Sequence, residues 1–219
     1  MYQCVATSGE ETAQASAELA LGAIAPELVD GFREQTLQPG PPLWLQCAVS
    51  GQPPPRVTWL LDGAEIPPLL QPAYQLGSFV TDRGLVVAHL NVSAVRVDQG
   101  GVYTCLARNI LGAVHHSAPV NVYGPPKSRP PLNLTVVADT DVQLRCPAAG
   151  YPLASVSWSR AGVRLPNSMM QRVLFNGTLV LRAVQGSTDR GQYDCTVTNQ
   201  QGQLASGRLH LNVMSQYTL

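Results

Sequence analysis

The chain has 219 residues, room for one large or two ordinary domains, and its 14 Lys and Arg balance 14 Asp and Glu to a formal net charge of zero. That balance excludes the basic face of a nucleic-acid binder and the polybasic segment of a membrane-surface protein. Hydrophobic residues make up 45%, which excludes a chain disordered throughout, and no run approaches the roughly 18 apolar residues of a membrane span.

Met1-Tyr2-Gln3-Cys4 opens the chain without the basic region and apolar run of a signal peptide. Leu43, Leu45 and Cys47 alternate on one face of a predicted strand, so Trp44 between them is expected to point outward. Val57 and Trp59 share a face in the next strand, and Leu90 and Val92 in a later one. Tyr103-Thr104-Cys105 follows. Tyr123-Gly124-Pro125-Pro126 reads as a junction, where Gly permits a bend and the two prolines stiffen it. Beyond it the alternation returns: Val142, Leu144 and Cys146; Val156 and Trp158; Leu179 and Leu181; Tyr193 and Cys195; Leu209, Leu211 and Val213. Helical periodicity is absent at useful length. Short strands at regular spacing, with 19 Gly and 18 Pro to turn the chain, read as β-sandwiches.

The chain also repeats itself. Trp59 lies 12 residues after Cys47, and Trp158 lies 12 residues after Cys146. A tyrosine stands two residues before each of Cys4, Cys105 and Cys195. Gly51-Gln52-Pro53 matches Gly150-Tyr151-Pro152, and Asn109 with Gly112 matches Asn199 with Gly202. The second unit is nine residues shorter between its cysteines, and the extra length of the first holds the apolar segment Ile66-Pro67-Pro68-Leu69-Leu70.

These marks resemble the immunoglobulin superfamily, whose hallmarks are an inter-sheet disulfide, a Trp packed on it and a Tyr two residues before the second Cys. The Gly-x-Pro and Asn…Gly flanks are similar to the I-set type. The implied fold class is all-β, as tandem I-set immunoglobulin-like β-sandwiches. Wider stretches, among them Ala15-Ser16-Ala17-Glu18-Leu19, Glu34-Gln35-Thr36, Asn121-Val122-Tyr123-Gly124 and Phe175-Asn176-Gly177-Thr178-Leu179, resemble the Dscam (Down syndrome cell adhesion molecule) family, from the middle of its immunoglobulin array. On that resemblance residues 1–22 are expected to be the last two strands of a truncated domain, 23–124 and 125–214 complete domains, and 215–219 the start of a linker.

The resemblance implies disulfides Cys47–Cys105 and Cys146–Cys195, each worth about 4 kcal/mol through the loop it closes. Cys4 is left unpaired by the truncation. Trp59, Trp158, Tyr103 and Tyr193 become core residues. I-set domains usually pair an Asp six residues before the second Cys with an Arg on strand D. That implies an ion pair Arg172–Asp189 in the second unit, while the first has Gln99 at the Asp position and no Lys or Arg from Thr58 to Thr81. Paired cysteines place the chain in an oxidising compartment. There the sequons at Asn91, Asn133 and Asn176 are glycan acceptors, with Asn91 expected to face solvent between inward Leu90 and Val92. Exposed Trp44 is a candidate contact residue.

No catalytic constellation emerges. Ser, His and Asp share no spacing, and neither a phosphate loop, a His-Glu-x-x-His nor a Gly-x-Ser-x-Gly elbow occurs. Adjacent His115 and His116 point to opposite faces of a strand, a poor metal pair, and both are expected to face solvent. No cofactor, metal, nucleic acid or small-molecule substrate is therefore expected. The resemblance implies an extracellular, cell-surface segment of an adhesion receptor whose partner is the same molecule on another cell, with roles in axon guidance and neurite self-avoidance. Membrane anchoring would come only from regions outside the chain. The same fold also serves heterophilic or soluble immune-recognition proteins and intracellular structural arrays, and the residues alone leave those alternatives open.

Overall fold

In the computed structural model the described residues are 2–8, 11–17, 22–66 and 73–215. Strands β1 (Tyr2–Ser8) and β2 (Glu11–Ala17) pair antiparallel with Cys4 opposite Ala15. The Cys4 side chain lies outside what is described.

Nine strands follow: β3 (Ile24–Asp30), β4 (Gln35–Leu37), β5 (Leu43–Gln52), β6 (Arg56–Leu61), β7 (Ala64–Glu65), β8 (Gln75–Val80), β9 (Val86–Val92), β10 (Gly101–Asn109) and β11 (Gly112–Val122). They form one sheet in the order β3-β5-β9-β8 and another in the order β4-β11-β10-β6-β7. Strand β5 shows why the register holds. Leu43, Leu45 and Cys47 are 1%, 0% and 0% exposed, whereas Trp44 is 65% exposed. A slip of one residue would carry Trp44 inward and all three apolar residues out. Burying each Leu contributes roughly 1.5–3 kcal/mol. Phe32 and Tyr74 also enter this core. So does Ile66, at the start of the segment expected to form an apolar loop; residues 67–72 lie outside the described residues.

The second sandwich uses β12 (Gly124–Ser128), β13 (Leu132–Val137), β14 (Val142–Leu144), β15 (Ala148–Tyr151), β16 (Ser155–Arg160), β17 (Val163–Arg164), β18 (Gln171–Val173), β19 (Leu179–Leu181), β20 (Gly191–Thr198) and β21 (Leu204–Met214). One sheet runs β13-β21-β20-β16-β17, opposed by β14-β19-β18 with β12-β15 paired separately. Its core gathers Val142, Leu144, Trp158, Leu179, Leu181, Tyr193, Leu209 and Leu211.

In both units the pairing is antiparallel except for one parallel contact, β4 with β11 and β13 with β21. Two facing sheets, with the second strand of each unit crossing to pair in parallel with the last, make each unit an immunoglobulin-type sandwich. Gly124 already pairs with Tyr151. The second sheet system thus begins one residue before the expected boundary, and Tyr123 alone separates β11 from β12.

Candidate functional site

Each core is built around a bridge. Cys47 is bonded to Cys105 and Cys146 to Cys195, with Cα–Cα distances of 6.7 and 5.8 Å. Trp59 stands directly opposite Cys105 on the neighbouring strand, and Trp158 opposite Cys195. Both indoles are buried, but their nitrogens differ. Trp158 Nε1 donates to the Gly177 carbonyl at 2.9 Å, whereas Trp59 Nε1 has no partner among the described residues and its ring packs on Phe32 at 5.4 Å between centroids.

The Tyr103 hydroxyl donates to the Gln99 carbonyl at 2.7 Å, and the Tyr193 hydroxyl to the Asp189 carbonyl at 2.8 Å. Each bond pins the turn leading into its strand. Burial holds the Tyr103 phenol well above its ordinary value and raises that of Tyr193 less, where a guanidinium, Arg160, lies 5.3 Å over the ring.

The expected Arg172–Asp189 ion pair does not form. Asp189 Oδ2 accepts the Gln185 N–H at 2.7 Å and the Thr188 hydroxyl at 3.1 Å. In β18, Gln171 and Val173 are half-buried, so strand parity turns Arg172 outward. Gln99 does the same work in the first sandwich, its Oε1 accepting the Arg96 N–H at 2.9 Å. The acid position serves to cap a turn, which a neutral amide does equally well, and this explains why Gln99 needs no cation. Asp98, one residue earlier, pairs with Arg96 at 3.1 Å, and that hydrogen bond lowers its carboxyl.

The sequon residues differ in setting. Asn133 and Asn176 are exposed. Asn91 is half-buried rather than open, because it sits between Trp44 and Gln75 on the adjoining strands, and its Oδ1 is buried without a partner among the described residues. His115 is exposed, but His116 is not: it lies edge-on to Phe32, and its Nε2 is 2.6 Å from the Phe32 carbonyl. Among the described residues no His, Cys, Asp or Glu group is arranged to hold a metal.

The most constrained polar geometry is at the joint, and the sequence did not point to it. Asp62 and Gly63 close the β6–β7 hairpin, both at positive φ (51° and 89°), a two-residue turn of the kind Asp-Gly favours. The hairpin aims the Asp62 carboxylate at the second sandwich. Oδ1 accepts the Val102 N–H at 2.9 Å, and Oδ2 meets the Arg129 guanidinium at 2.6 Å. Arg129 also donates to the Ala148 carbonyl at 3.1 Å. The two side chains are only 7% and 12% exposed. Gly101 makes room: a Cβ there would lie 2.6 Å from Asp62 Oδ2. Val97 packs against Gly124, where a Cβ would lie 2.5 Å away, and Tyr123 meets Tyr151 edge-on at 5.2 Å. A cleft of about 590 Å³ runs along the joint beside Arg129 and Tyr151.

Two disulfide-centred sandwiches joined by a buried ion pair define a tandem immunoglobulin-domain protein. The immunoglobulin I-set domain matches residues 26–122, and a second immunoglobulin domain family matches 125–199. The cell adhesion molecule Dscam2 of Drosophila melanogaster is 43% identical over 94% of this chain and 10% of its own length. Human DSCAML1 is 38% identical over 97% of this chain and 10% of its own length. The crystal structure of the N-terminal eight immunoglobulin domains of DSCAM isoform 1.30.30 matches with a TM-score of 0.76 at 40% identity, over 97% of this chain and 28% of that one. The chain belongs to the Dscam family of the immunoglobulin superfamily. It spans about a tenth of the length of the curated relatives it matches. Among the described residues no helix is long and apolar enough to cross a membrane.

Proposed function

We propose that this chain is an extracellular segment of a cell-surface adhesion receptor, and that it acts by holding two domains at a fixed angle rather than by catalysis. Its partner is a second copy of the same molecule on an opposing cell. Residues 1–22 contribute the closing strands of a preceding domain, 23–124 and 125–214 are the two complete domains, and 215–219 lead onward. The observation that carries this reading is the Asp62–Arg129 pair, which ties the β6–β7 hairpin to the residue just after β12 of the next domain, beside a single-residue connection between β11 and β12. A joint of that kind supports rigid presentation, because bending it would strand two buried charges. The names of the relatives, all cell adhesion molecules, support the adhesive role.

Beads coated with the full ectodomain test the reading. Clustering of identically coated beads is the expected result. Beads that bind cells yet never cluster with one another would replace the homophilic partner by a heterophilic one.

A further inference from the structure

Trp44 is one of three tryptophans in the chain, and the other two are core residues. It stands at 65% exposure on the outer face of β5, flanked along its strand by Leu43 and Leu45, which point the other way. Register places it directly across from Asn91 on β9. Side chains in such a pair start about 4.5–5.5 Å apart at Cβ and touch when one of them is large. Asn91 begins the sequon Asn91-Val92-Ser93, and Ser93 is exposed. Asn91 is half-buried, and its Oδ1 is shut away from solvent with no hydrogen-bond partner among the described residues. As register partners, Asn91 and Trp44 project from the same face of the sheet, so a sugar on Asn91 starts beside the indole.

We infer that Asn91 carries an N-linked glycan whose first N-acetylglucosamine lies on the face of Trp44. The chemistry on both sides fits. An indole offers a broad apolar face with negative quadrupole charge, and a pyranose ring offers a face of electropositive C–H bonds. The attachment bond fixes the sugar next to the ring, so the contact costs little ordering entropy. The register partner of Asn133 is His210, whose imidazole is a smaller and more polar ring than an indole. The pairing assigns Trp44, a candidate protein contact on sequence grounds, to the covering of a sugar.

The inference rests on the extracellular reading, and the test separates the two. The chain is secreted from glycosylating cells, and each sequon is mapped by peptide mass spectrometry. Trp44 accessibility is then read by N-bromosuccinimide oxidation, to which buried Trp59 and Trp158 contribute little. Ser93→Ala removes the Asn91 sugar while leaving Asn91 and Trp44 in place. It is expected to raise the Trp44 oxidation rate several-fold. Thr135→Ala, which removes the Asn133 sugar, should leave that rate unchanged. The Ser93→Ala variant should also lower Tm in the wild-type background and not in a Trp44→Ala background. Sugars at Asn133 and Asn176 with Asn91 bare would overturn the inference alone. An occupied Asn91 with Trp44 oxidised equally fast in both proteins would do the same, and would return Trp44 to the role of a protein contact. Absence of sugar at all three sequons would overturn both this inference and the extracellular reading.

Discussion

Asp62 and Arg129 come from different sandwiches and meet at 2.6 Å with almost no access to solvent. The corresponding hairpin of the second sandwich shows what is special about the first. There Ala161 and Gly162 repeat the positive-φ turn, at 50° and 77°, but no carboxylate is present to reach forward. The preceding Arg160 folds back on its own domain instead, donating to the Arg190 carbonyl at 2.7 Å. One side chain thus converts a generic hairpin into a joint.

Removing one member of the pair leaves the other charge buried and uncompensated, at a cost of about 3–5 kcal/mol. Asp62→Ala and Arg129→Ala are both expected to loosen the joint before either domain unfolds. Small-angle scattering should show a broader distribution of interdomain distances for each variant. A profile identical to the wild type would mean that the Tyr123–Tyr151 and Val97–Gly124 contacts hold the angle by themselves.

Trp59→Ala and Trp158→Ala each open a cavity beside a disulfide and are expected to cost about 3–5 kcal/mol. A domain has about 5–15 kcal/mol in total, so calorimetry should show one weakened transition and one near its original temperature. Phenylalanine separates the two sites. Trp158→Phe also leaves the Gly177 carbonyl without its donor, worth about 1 kcal/mol, whereas Trp59 Nε1 has no bond to lose among the described residues. Trp44→Ala in the unglycosylated chain should cost under about 1 kcal/mol.

The tyrosine hydroxyls predict an alkaline limb. Burial raises the Tyr103 phenol above 10.0, so the folded state keeps its proton more tightly than the unfolded chain does. The associated stability is complete below the unfolded value and is lost as pH rises through the folded one. Denaturation followed from neutral into alkaline solution should therefore show the first domain weakening. Tyr103→Phe should be about 1 kcal/mol less stable at neutral pH and should fall off less steeply on the alkaline side.

Arg172→Ala should change stability by under about 0.5 kcal/mol, because no carboxylate faces it. Asp189→Ala, which uncaps the Gln185 N–H, should cost about 1 kcal/mol, and Asp189→Asn less. Equal losses for Arg172→Ala and Asp189→Ala in urea titrations would restore the ion pair that the structure lacks.

Strand parity and the repeated Cys…Trp…Tyr-x-Cys spacing were enough to determine the sandwich architecture, the inward Leu43, Leu45 and Cys47 and the outward Trp44. Those features depend on neighbours within a strand, and period-two burial writes them directly into the chain. The roles of Asp189 and Arg172 were not decided at that level. A carboxylate can cap a turn or pair with a cation, and the choice turns on whether β18 directs its middle residue inward or outward. The joint was still less legible. Asp62 and Arg129 are far apart in sequence, and Asp-Gly reads as an ordinary turn; the contrast with Ala161-Gly162 marks the position but names no partner. Only the tertiary arrangement, with Gly101 leaving space and the one-residue connection through Tyr123 bringing β12 back beside the hairpin, puts the two charges in contact. Ion pairing falls off within a few ångströms, so it is decided by the packing of whole domains, which local sequence pattern does not encode.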